Sequence, residues 1–570
     1  MRKRISSLLV FALLLACQKT EMPNVAPKQA GGRLAMPQPS SAVPVPVPVP
    51  VPAPPPPPAN AQATFYDSVQ GGVAGGVQGG VAGGVVGGVA GGVMGGVEKD
   101  AQFHTEEYGR FTENPFLRAV DNPLSTFSID VDRASYANVR RFLNGGTAPP
   151  RDAVRIEEMI NYFRYDYPDP RGGEPFSITT ELAACPWNAK HQLLLVGLQG
   201  RRIKTADLPP SNLVFLIDVS GSMDEPDKLP LVKRSLQALT EQLRPDDRVA
   251  IVVYAGAAGL VLPSTPGSDK AEIARALDDL QAGGSTAGGE GIRLAYDIAK
   301  ENFRKSGNNR VILATDGDFN VGVSSDGELE QLIEQKRRDG IFLTVLGFGT
   351  GNLKDSKMEL LADKGNGNYA YIDSIGEARK TLVHEMGGTL LTIAKDVKIQ
   401  IELNPTHVGA YRLIGYENRL LRKEDFNDDT KDAGELGAGH SVTALYEIVP
   451  PGVDVPQSSV DPLKYQKPPA VIASSSELAT VKLRYKDPDG EESRLLTEVV
   501  ADAPAASMSD NLRMAAAVAE LGMLLRNSEH KGEASYDEAL QLARSVRGED
   551  AEGYRADFMA LVAKARSIGG

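Results

Sequence analysis

The chain has 570 residues, with 74 acidic and 61 basic side chains and a formal net charge of −13. This acidic balance argues against a nucleic-acid-binding protein, which would need a basic surface. Two cysteines in the whole chain exclude a disulfide framework and a zinc site built from four cysteines. At about 150 residues per domain, the length predicts roughly three or four domains.

The first 17 residues, MRKRISSLLVFALLLAC, are typical of a secretory signal peptide. A basic start precedes an apolar run at 8–15, which is shorter than the ~20 residues that a membrane-spanning helix needs. The ending LLAC resembles a bacterial lipobox, and this resemblance implies cleavage before Cys17 and acylation of that cysteine. We therefore expect a lipid anchor in the bacterial cell envelope, at the outer membrane as Gln18 implies. An ordinary secretory signal with a chance cysteine is the alternative.

Residues 18–100 form a low-complexity segment with two parts. The first, 37–58, contains VPVPVPVPVP and PPPPP and favours extended polyproline II structure, because proline fixes φ and removes a hydrogen-bond donor. The second has seven copies of Gly-Gly-Val-x over 71–98, and so much glycine makes an isolated helix or strand costly in entropy. A glycine-zipper membrane helix is the alternative, since 71–97 carries no charge. We interpret 18–100 as a disordered tether.

Folded structure is predicted to begin near Phe103, and 103–210 is interpreted as an N-terminal pre-domain. A helix is predicted from about Arg133 to the glycine pair at 145–146, which is typical of a helix end. Asp132 is assigned to the start of this helix, where an acidic side chain is favoured, rather than to phosphotransferase chemistry. Apolar spacing predicts a second amphipathic helix at 152–167, followed by two strands within 176–203.

From Asn212 the pattern changes to strands that alternate with helices. Near-continuous apolar strands are predicted at 213–220, 247–255, 309–317, 341–349 and 368–373. Amphipathic helices are predicted between them, at 228–243, 271–280, 289–303, 328–340 and 357–367. This alternation predicts an α/β fold with a doubly wound, mostly parallel sheet that is covered on both faces.

Polar side chains follow the predicted elements of this sheet at three places. DVSGS at the end of the first strand carries Asp218, Ser220 and Ser222, a Gly-Gly-Ser-Thr loop carries Thr286, and a later strand ends at Asp316. Because ligands bind such sheets beyond the carboxyl ends of the strands, we expect these five side chains to meet there. Their oxygens, with no side-chain nitrogen or sulfur, suit Mg²⁺, Mn²⁺ or Ca²⁺.

This constellation resembles the metal-ion-dependent adhesion site (MIDAS) of the von Willebrand factor type A fold, which we place at 211–386. The Asp-x-Ser-x-Ser motif matches in full at 218–222, and the family's threonine and later aspartate match at Thr286 and Asp316. The resemblance implies that the two serines and the threonine bind the metal directly and that the aspartates act through water. Ala287 departs from the usual asparagine, a change that concerns a local hydrogen bond and not the ligand count.

Residues 387–570 are interpreted as a C-terminal domain of strands followed by helices. Its predicted strands lie at 396–405, 440–450 and 478–492, and its helices lie within 510–568. We expect these strands to complete a β-sandwich with those at 176–203, so that the type A domain is an insertion. Over about residues 103–568, the order of domains resembles a bacterial family of envelope lipoproteins. That family has an N-terminal pre-domain around the segment STFSIDVDRASYANVRRFL, a type A domain and a C-terminal domain of uncharacterised function.

The sequence favours a membrane-tethered binding protein over an enzyme. We expect its cation to capture an acidic side chain of a protein partner, in adhesion or complex assembly, and infer neither a nucleic acid nor a small-molecule substrate. A hydrolytic or phosphotransfer enzyme is one alternative, but a nucleophile at Ser220 or Ser222 would want a histidine, and none occurs between His191 and His384. A passive, metal-free scaffold is the other alternative.

Overall fold

The computed structural model describes residues 106–129, 132–284, 288–317, 326–385, 391–431, 433–455, 475–488 and 490–569. All of these described residues belong to one compact unit. The predicted signal peptide at 1–17, the lipidated Cys17 and the tether at 18–100 therefore lie outside the described residues. None of the described helices combines the length and the hydropathy that a membrane crossing requires.

Strands and helices are numbered here in chain order. The strands are β1 (Leu117–Arg118), β2 (Leu124–Ser128), β3 (Phe176–Ala184), β4 (Gln192–Gly200), β5 (Ser211–Asp218), β6 (Arg248–Tyr254), β7 (Ala258–Pro266), β8 (Asn308–Thr315), β9 (Phe342–Phe348), β10 (Tyr369–Ile372), β11 (Thr392–Leu403), β12 (Ala410–Ile414), β13 (Gly434–Gly437), β14 (Ser441–Val449), β15 (Glu477–Lys486) and β16 (Ser493–Ala501). The helices are α1 (Ala134–Asn144), α2 (Ile156–Asn161), α3 (Leu229–Gln242), α4 (Lys270–Asp278), α5 (Gly288–Glu301), α6 (Asp326–Arg338), α7 (Asp355–Lys364), α8 (Ile375–Arg379), α9 (Asp510–Arg526), α10 (Tyr536–Ser545) and α11 (Tyr554–Gly569).

The central sheet has the strand order β10-β9-β8-β5-β6-β7 and is parallel except for β7, which pairs antiparallel with β6. Helices α3, α4 and α8 pack on one face, and α1, α5, α6 and α7 pack on the other. β5 and β8 are buried along their whole length, which explains their near-continuous apolar sequences. The predicted doubly wound α/β fold is confirmed. The edge strand β7 was not predicted, because it exposes Leu260 and Val261 and lacks a clear pattern.

Two antiparallel sheets form a β-sandwich. One has the order β1-β12-β14-β4-β3, and the other has the order β13-β11-β15-β16 with β2 also paired to β11. Val196 and Tyr446 of the first sheet share a core with Ile399 and Val481 of the second. β4 pairs with β14 although the central sheet lies between them in the sequence. The predicted sandwich is therefore confirmed, while the exact domain boundaries stay predictions.

The C-terminal helices, with α1 and α2, cover the outer face of the sheet that contains β4. Side chains alternate along a strand, so Leu193 and Leu195 contact these helices while Leu194 and Val196 enter the sandwich core. The predicted helical C-terminal region is confirmed as α9, α10 and α11. This layer gives the sheet a buried surface on both sides.

Two details of the pre-domain differ from the sequence prediction. The helix expected at 152–167 is limited to α2. Tyr167 lies beyond this helix and packs against Gly197 of β4, and its hydroxyl is 2.8 Å from Thr443 Oγ1 of β14. Asp132 does not cap α1. Its buried carboxylate accepts hydrogen bonds from the backbone N–H of Tyr369 at 2.7 Å and from Arg419 at 3.3 Å, so it joins distant segments instead.

Candidate functional site

Asp218 ends β5 at the carboxyl edge of the central sheet. Its side chain is fully buried, with Oδ1 accepting a hydrogen bond from the backbone N–H of Ser220 at 2.9 Å and Oδ2 accepting one from the Thr315 hydroxyl at 3.3 Å. Burial raises the pKa of this carboxyl, against the opposing effect of the Ser220 hydrogen bonds. A carboxylate under this desolvation penalty favours a positive charge nearby.

Ser220 and Ser222 lie on the turn that follows Asp218. Their Oγ atoms are 3.1 Å apart, with Ser220 buried and Ser222 exposed. Two hydroxyl oxygens are thus paired at the end of the sheet, one facing inward and one open to solvent. A bound group held by both hydroxyls would remain accessible from outside.

The loop predicted to carry Thr286 is attached to this turn as far as Gly284. The N–H of Gly221 donates to the carbonyl of Gly284 at 3.0 Å, and the N–H of Gly283 donates to the carbonyl of Val219 at 2.7 Å. Gly284 adopts φ 86°, a conformation that favours glycine. Thr286 itself lies outside the described residues, so its role stays a prediction.

Asp316 follows β8 and is fully buried. Its Oδ2 accepts a hydrogen bond from Lys228 Nζ at 2.9 Å. Burial alone would raise the pKa of Asp316, but hydrogen bonds from Asn352, Lys228 and Ser222, together with the charge of Lys228, hold the pKa below its usual value. The bond to Ser222 connects this carboxylate with the serine turn.

The structure thus brings four of the five predicted ligands together at one edge of the sheet. We call this group the oxygen cup; its described members are Asp218, Ser220, Ser222 and Asp316. They come from the end of β5, the turn that follows it and the residue after β8, and β5 and β8 are neighbouring parallel strands. Convergence at the carboxyl ends of such strands is the reason that residues so far apart in sequence meet. Their role as metal ligands stays a prediction.

Lys228 is the part of the site that sequence patterns did not indicate. The five predicted ligands carry no side-chain nitrogen, but the Lys228 ammonium contacts one of them, Asp316, and the Lys228 side chain is only 8% exposed. Its stem packs against Gly349, where an added Cβ would lie 2.4 Å from Lys228 Cγ. The available signal was position: Lys228 immediately precedes α3, and a helix that follows β5 begins at the carboxyl edge of the sheet.

The donor set of the oxygen cup fits a hard divalent cation. Carboxylate and hydroxyl oxygens are the ligands that Mg²⁺, Mn²⁺ and Ca²⁺ prefer. Within the part of the chain that the structure describes, no three His, Cys, Asp or Glu side chains gather as a metal site, so the hydroxyls would be essential ligands. Asp218 is the better candidate to bind the cation, because the groups described above that donate hydrogen bonds to it are neutral. Asp316, in contrast, already contacts the ammonium of Lys228.

Three family models match the folded part of the chain. The von Willebrand factor type A domain model matches residues 212–384, which include the oxygen cup. A model described as von Willebrand factor matches residues 102–195, and a model described as "Uncharacterized protein YfbK, C-terminal" matches residues 388–568. The matches cover the pre-domain, the central sheet and the C-terminal part in turn.

Similar proteins come from bacteria and animals. The chain is 47% identical over 458 residues to "Uncharacterized protein YfbK" of Escherichia coli (strain K12), which covers 78% of this chain and 79% of that relative. A solved von Willebrand factor type A structure from Catenulispora acidiphila is 17% identical, covers 70% of this chain and 98% of its own, and has a TM-score of 0.39. Proximal thread matrix protein 1 from the mussel byssus, solved with a zinc occupied MIDAS motif, is 24% identical, covers 31% of this chain and 44% of its own, and has a TM-score of 0.25. The identity and coverage shared with the Escherichia coli relative show that this chain belongs to the YfbK family, with a von Willebrand factor type A domain at its centre.

Proposed function

We propose that this chain is a binding protein of the cell envelope whose oxygen cup holds a divalent cation and presents it to an acidic side chain of a protein partner. When bound, such an ion supplies a Lewis-acidic positive charge that can accept a further carboxylate oxygen. Mg²⁺ is the first candidate, with Mn²⁺ and Ca²⁺ as alternatives. Domains of the von Willebrand factor type A family generally mediate protein–protein interactions, which supports the partner class.

The observation that carries this proposal is the serine pair beside a buried carboxylate. Ser220 and Ser222 hold their hydroxyls 3.1 Å apart, next to Asp218, which has no exposed surface. Because the cup contains few carboxylates, the positive charge of a bound divalent ion is only partly neutralised, and the ion can attract a further carboxylate. Because Ser222 is exposed, a partner can approach the cup from solvent.

The proposal also includes a lipid anchor at Cys17 and a location at the outer membrane. Its support is the sequence LLAC at 14–17 and the low-complexity segment that follows. As polyproline II at ~3.1 Å per residue, residues 37–58 would extend roughly 70 Å. A folded part on such a tether would reach partners well away from the membrane surface.

An enzyme is the less favoured alternative. The described members of the oxygen cup are carboxylates and hydroxyls, with no imidazole or thiol beside them to act as a base or nucleophile. A carboxylate pair alone would leave Ser220 without the partner that activates a serine nucleophile. We therefore propose binding rather than catalysis.

Affinity capture from solubilised membranes tests the proposal. The full chain is expected to retain a protein partner in Mg²⁺ and to lose it in EDTA, because ion and partner carboxylate depend on each other. Asp218→Ala and Ser220→Ala are expected to retain no partner in either condition. Asp339→Ala is the matched control, since it removes a 42% exposed aspartate directly after α6, at the opposite edge of the sheet.

The passive scaffold makes a different prediction for the same experiment. A partner that is captured equally in Mg²⁺, in EDTA and by the Asp218→Ala variant would contradict the metal-dependent function and favour a scaffold. Loss of capture by Asp339→Ala as strongly as by Asp218→Ala would also count against the oxygen cup. Both outcomes can be read from the same set of eluates.

A further inference from the structure

Lys228 places a fixed positive charge within the oxygen cup. Its Nζ lies 2.9 Å from Asp316 Oδ2, and its side chain is 8% exposed. Its Nζ is also 3.5 Å from Asn352 Oδ1. Gly349 leaves room for the lysine stem, since an added Cβ there would lie 2.4 to 2.9 Å from three of its carbon atoms. Packing and hydrogen bonding therefore hold the ammonium at the cup instead of in solvent.

This charge changes the electrostatic balance of the site. The charged groups named above are Asp218, Asp316 and Lys228, and their formal charges sum to −1. A divalent cation added to them gives +1, whereas two carboxylates alone with the same cation would give zero. Because buried charges are weakly screened, one unit of charge acts strongly on every ion that binds nearby.

We propose that Lys228 tunes this site in two opposite directions: it weakens the binding of the divalent cation and strengthens the binding of a carboxylate once the cation is present. The inference rests on the proposed function of the oxygen cup. It assigns Lys228 a positioning and electrostatic role, since the side chain acts through its contact with Asp316. Its consequence is strong mutual dependence, in which the cation is held firmly only when a partner carboxylate adds its negative charge.

Mn²⁺ and acetate are suitable probes for the full chain. Mn²⁺ binding is followed by water-proton relaxation, and acetate is then titrated at saturating Mn²⁺, where it displaces metal-bound water. Lys228→Met and Lys228→Gln are expected to bind Mn²⁺ about tenfold more tightly than the wild type and to bind acetate about tenfold more weakly. The Gln variant keeps a donor for Asp316 but removes the charge, so it separates charge from hydrogen bonding.

Lys300→Met is the matched control. It removes the same charge from the last turn of α5, where Lys300 is 65% exposed and lies at the opposite edge of the sheet. Both binding constants are expected to stay at the wild-type values. If the two binding constants of Lys300→Met changed as they do in the Lys228 variants, the effect would come from the net charge of the protein, and the inference would be overturned.

The remaining outcomes distinguish the two proposals. If the wild type binds Mn²⁺ but the two constants of the Lys228 variants move in the same direction, or if Lys228→Gln matches the wild type, the role of Lys228 is overturned and the metal site stands. Mn²⁺ uptake by the Lys228 variants but not by the wild type would support the part of the inference in which Lys228 weakens cation binding. No uptake by any of these proteins would overturn both proposals.

Discussion

Arg155 and Asp355 form a buried ion pair, with 2.6 Å between Nη1 and Oδ2, although 200 residues separate them in the sequence. Arg155 directly precedes α2 of the N-terminal segment, and Asp355 begins α7 of the central domain. Tyr369 also donates its hydroxyl to Asp355 Oδ1 at 2.9 Å. The pair therefore joins the pre-domain to the central sheet through groups that are shielded from water.

We expect Arg155→Met to lower the free energy of unfolding by about 3–5 kcal/mol, because it leaves the Asp355 carboxylate buried without its cation. Urea denaturation followed by circular dichroism measures the effect. Arg151→Met is the control, since Arg151 is 53% exposed and its pair with Glu113 should contribute less than about 1 kcal/mol. Equal losses in the two variants would contradict the importance of burial.

Glu520 makes stability depend on pH. It is fully buried in α9, and burial raises its pKa to about 9, with Glu538 adding to the shift. The ordinary pKa is 4.5, so between pH 4.5 and about pH 9 the folded chain holds a proton that the unfolded chain has lost. The stability that this proton contributes is present at low pH and is lost as the pH rises through that window.

Replacing Glu520 by Gln should remove this dependence, because the amide does not ionise. The unfolding free energy of Glu520→Gln relative to the wild type is expected to be higher at pH 8 than at pH 5 by more than about 1 kcal/mol. Urea unfolding at both pH values provides the measurement. Glu301→Gln, at an exposed position in α5, should keep the wild-type profile. Parallel curves for Glu520→Gln and the wild type would be evidence against the raised pKa.

Mg²⁺ should stabilise the folded chain by mass action if the oxygen cup binds it. A ligand at 100 times its Kd contributes about 2.7 kcal/mol, so the Tm is expected to rise with MgCl₂ and to return on addition of EDTA. Differential scanning calorimetry of the full chain measures this shift, with NaCl at equal ionic strength as the salt control. Ser220→Ala should abolish most of the shift, and Asp339→Ala should retain it. An equal rise in Tm with NaCl would show that the stabilisation comes from ionic screening and not from Mg²⁺ binding.

Gly197 is required by the close packing of β4 against Tyr167. An added Cβ would lie 2.4 Å from Tyr167 Cζ, and moving the ring would break the 2.8 Å hydrogen bond between its hydroxyl and Thr443. We expect Gly197→Ala to lower the free energy of unfolding by about 1–3 kcal/mol. Gly259→Ala in β7, whose nearest neighbour would be 4.0 Å away, should change it by less than about 0.5 kcal/mol. Comparable melting curves for the two variants would show that the ring adapts without cost.

Much of the fold and part of the site follow from local patterns. Runs of buried residues such as 213–217 in β5, alternating with amphipathic helices, predicted a doubly wound sheet, because burial on both faces requires apolar side chains all along a strand. Asp218, Ser220 and Ser222 follow one strand and Asp316 follows its neighbour. The rule that ligands bind beyond the carboxyl ends of parallel strands was therefore enough to predict that these side chains meet.

By itself, the sequence determined most of the strands and helices of the central sheet and which side chains stand at the strand ends, because both depend on residues close together in the chain. Only the tertiary structure decided that Lys228 enters the oxygen cup, that Arg155 meets Asp355, and that β4 pairs with β14. These contacts join segments with no common local pattern. They are selected by the apolar area that packing buries and by the need of each buried charge for a partner, and both are properties of the whole fold.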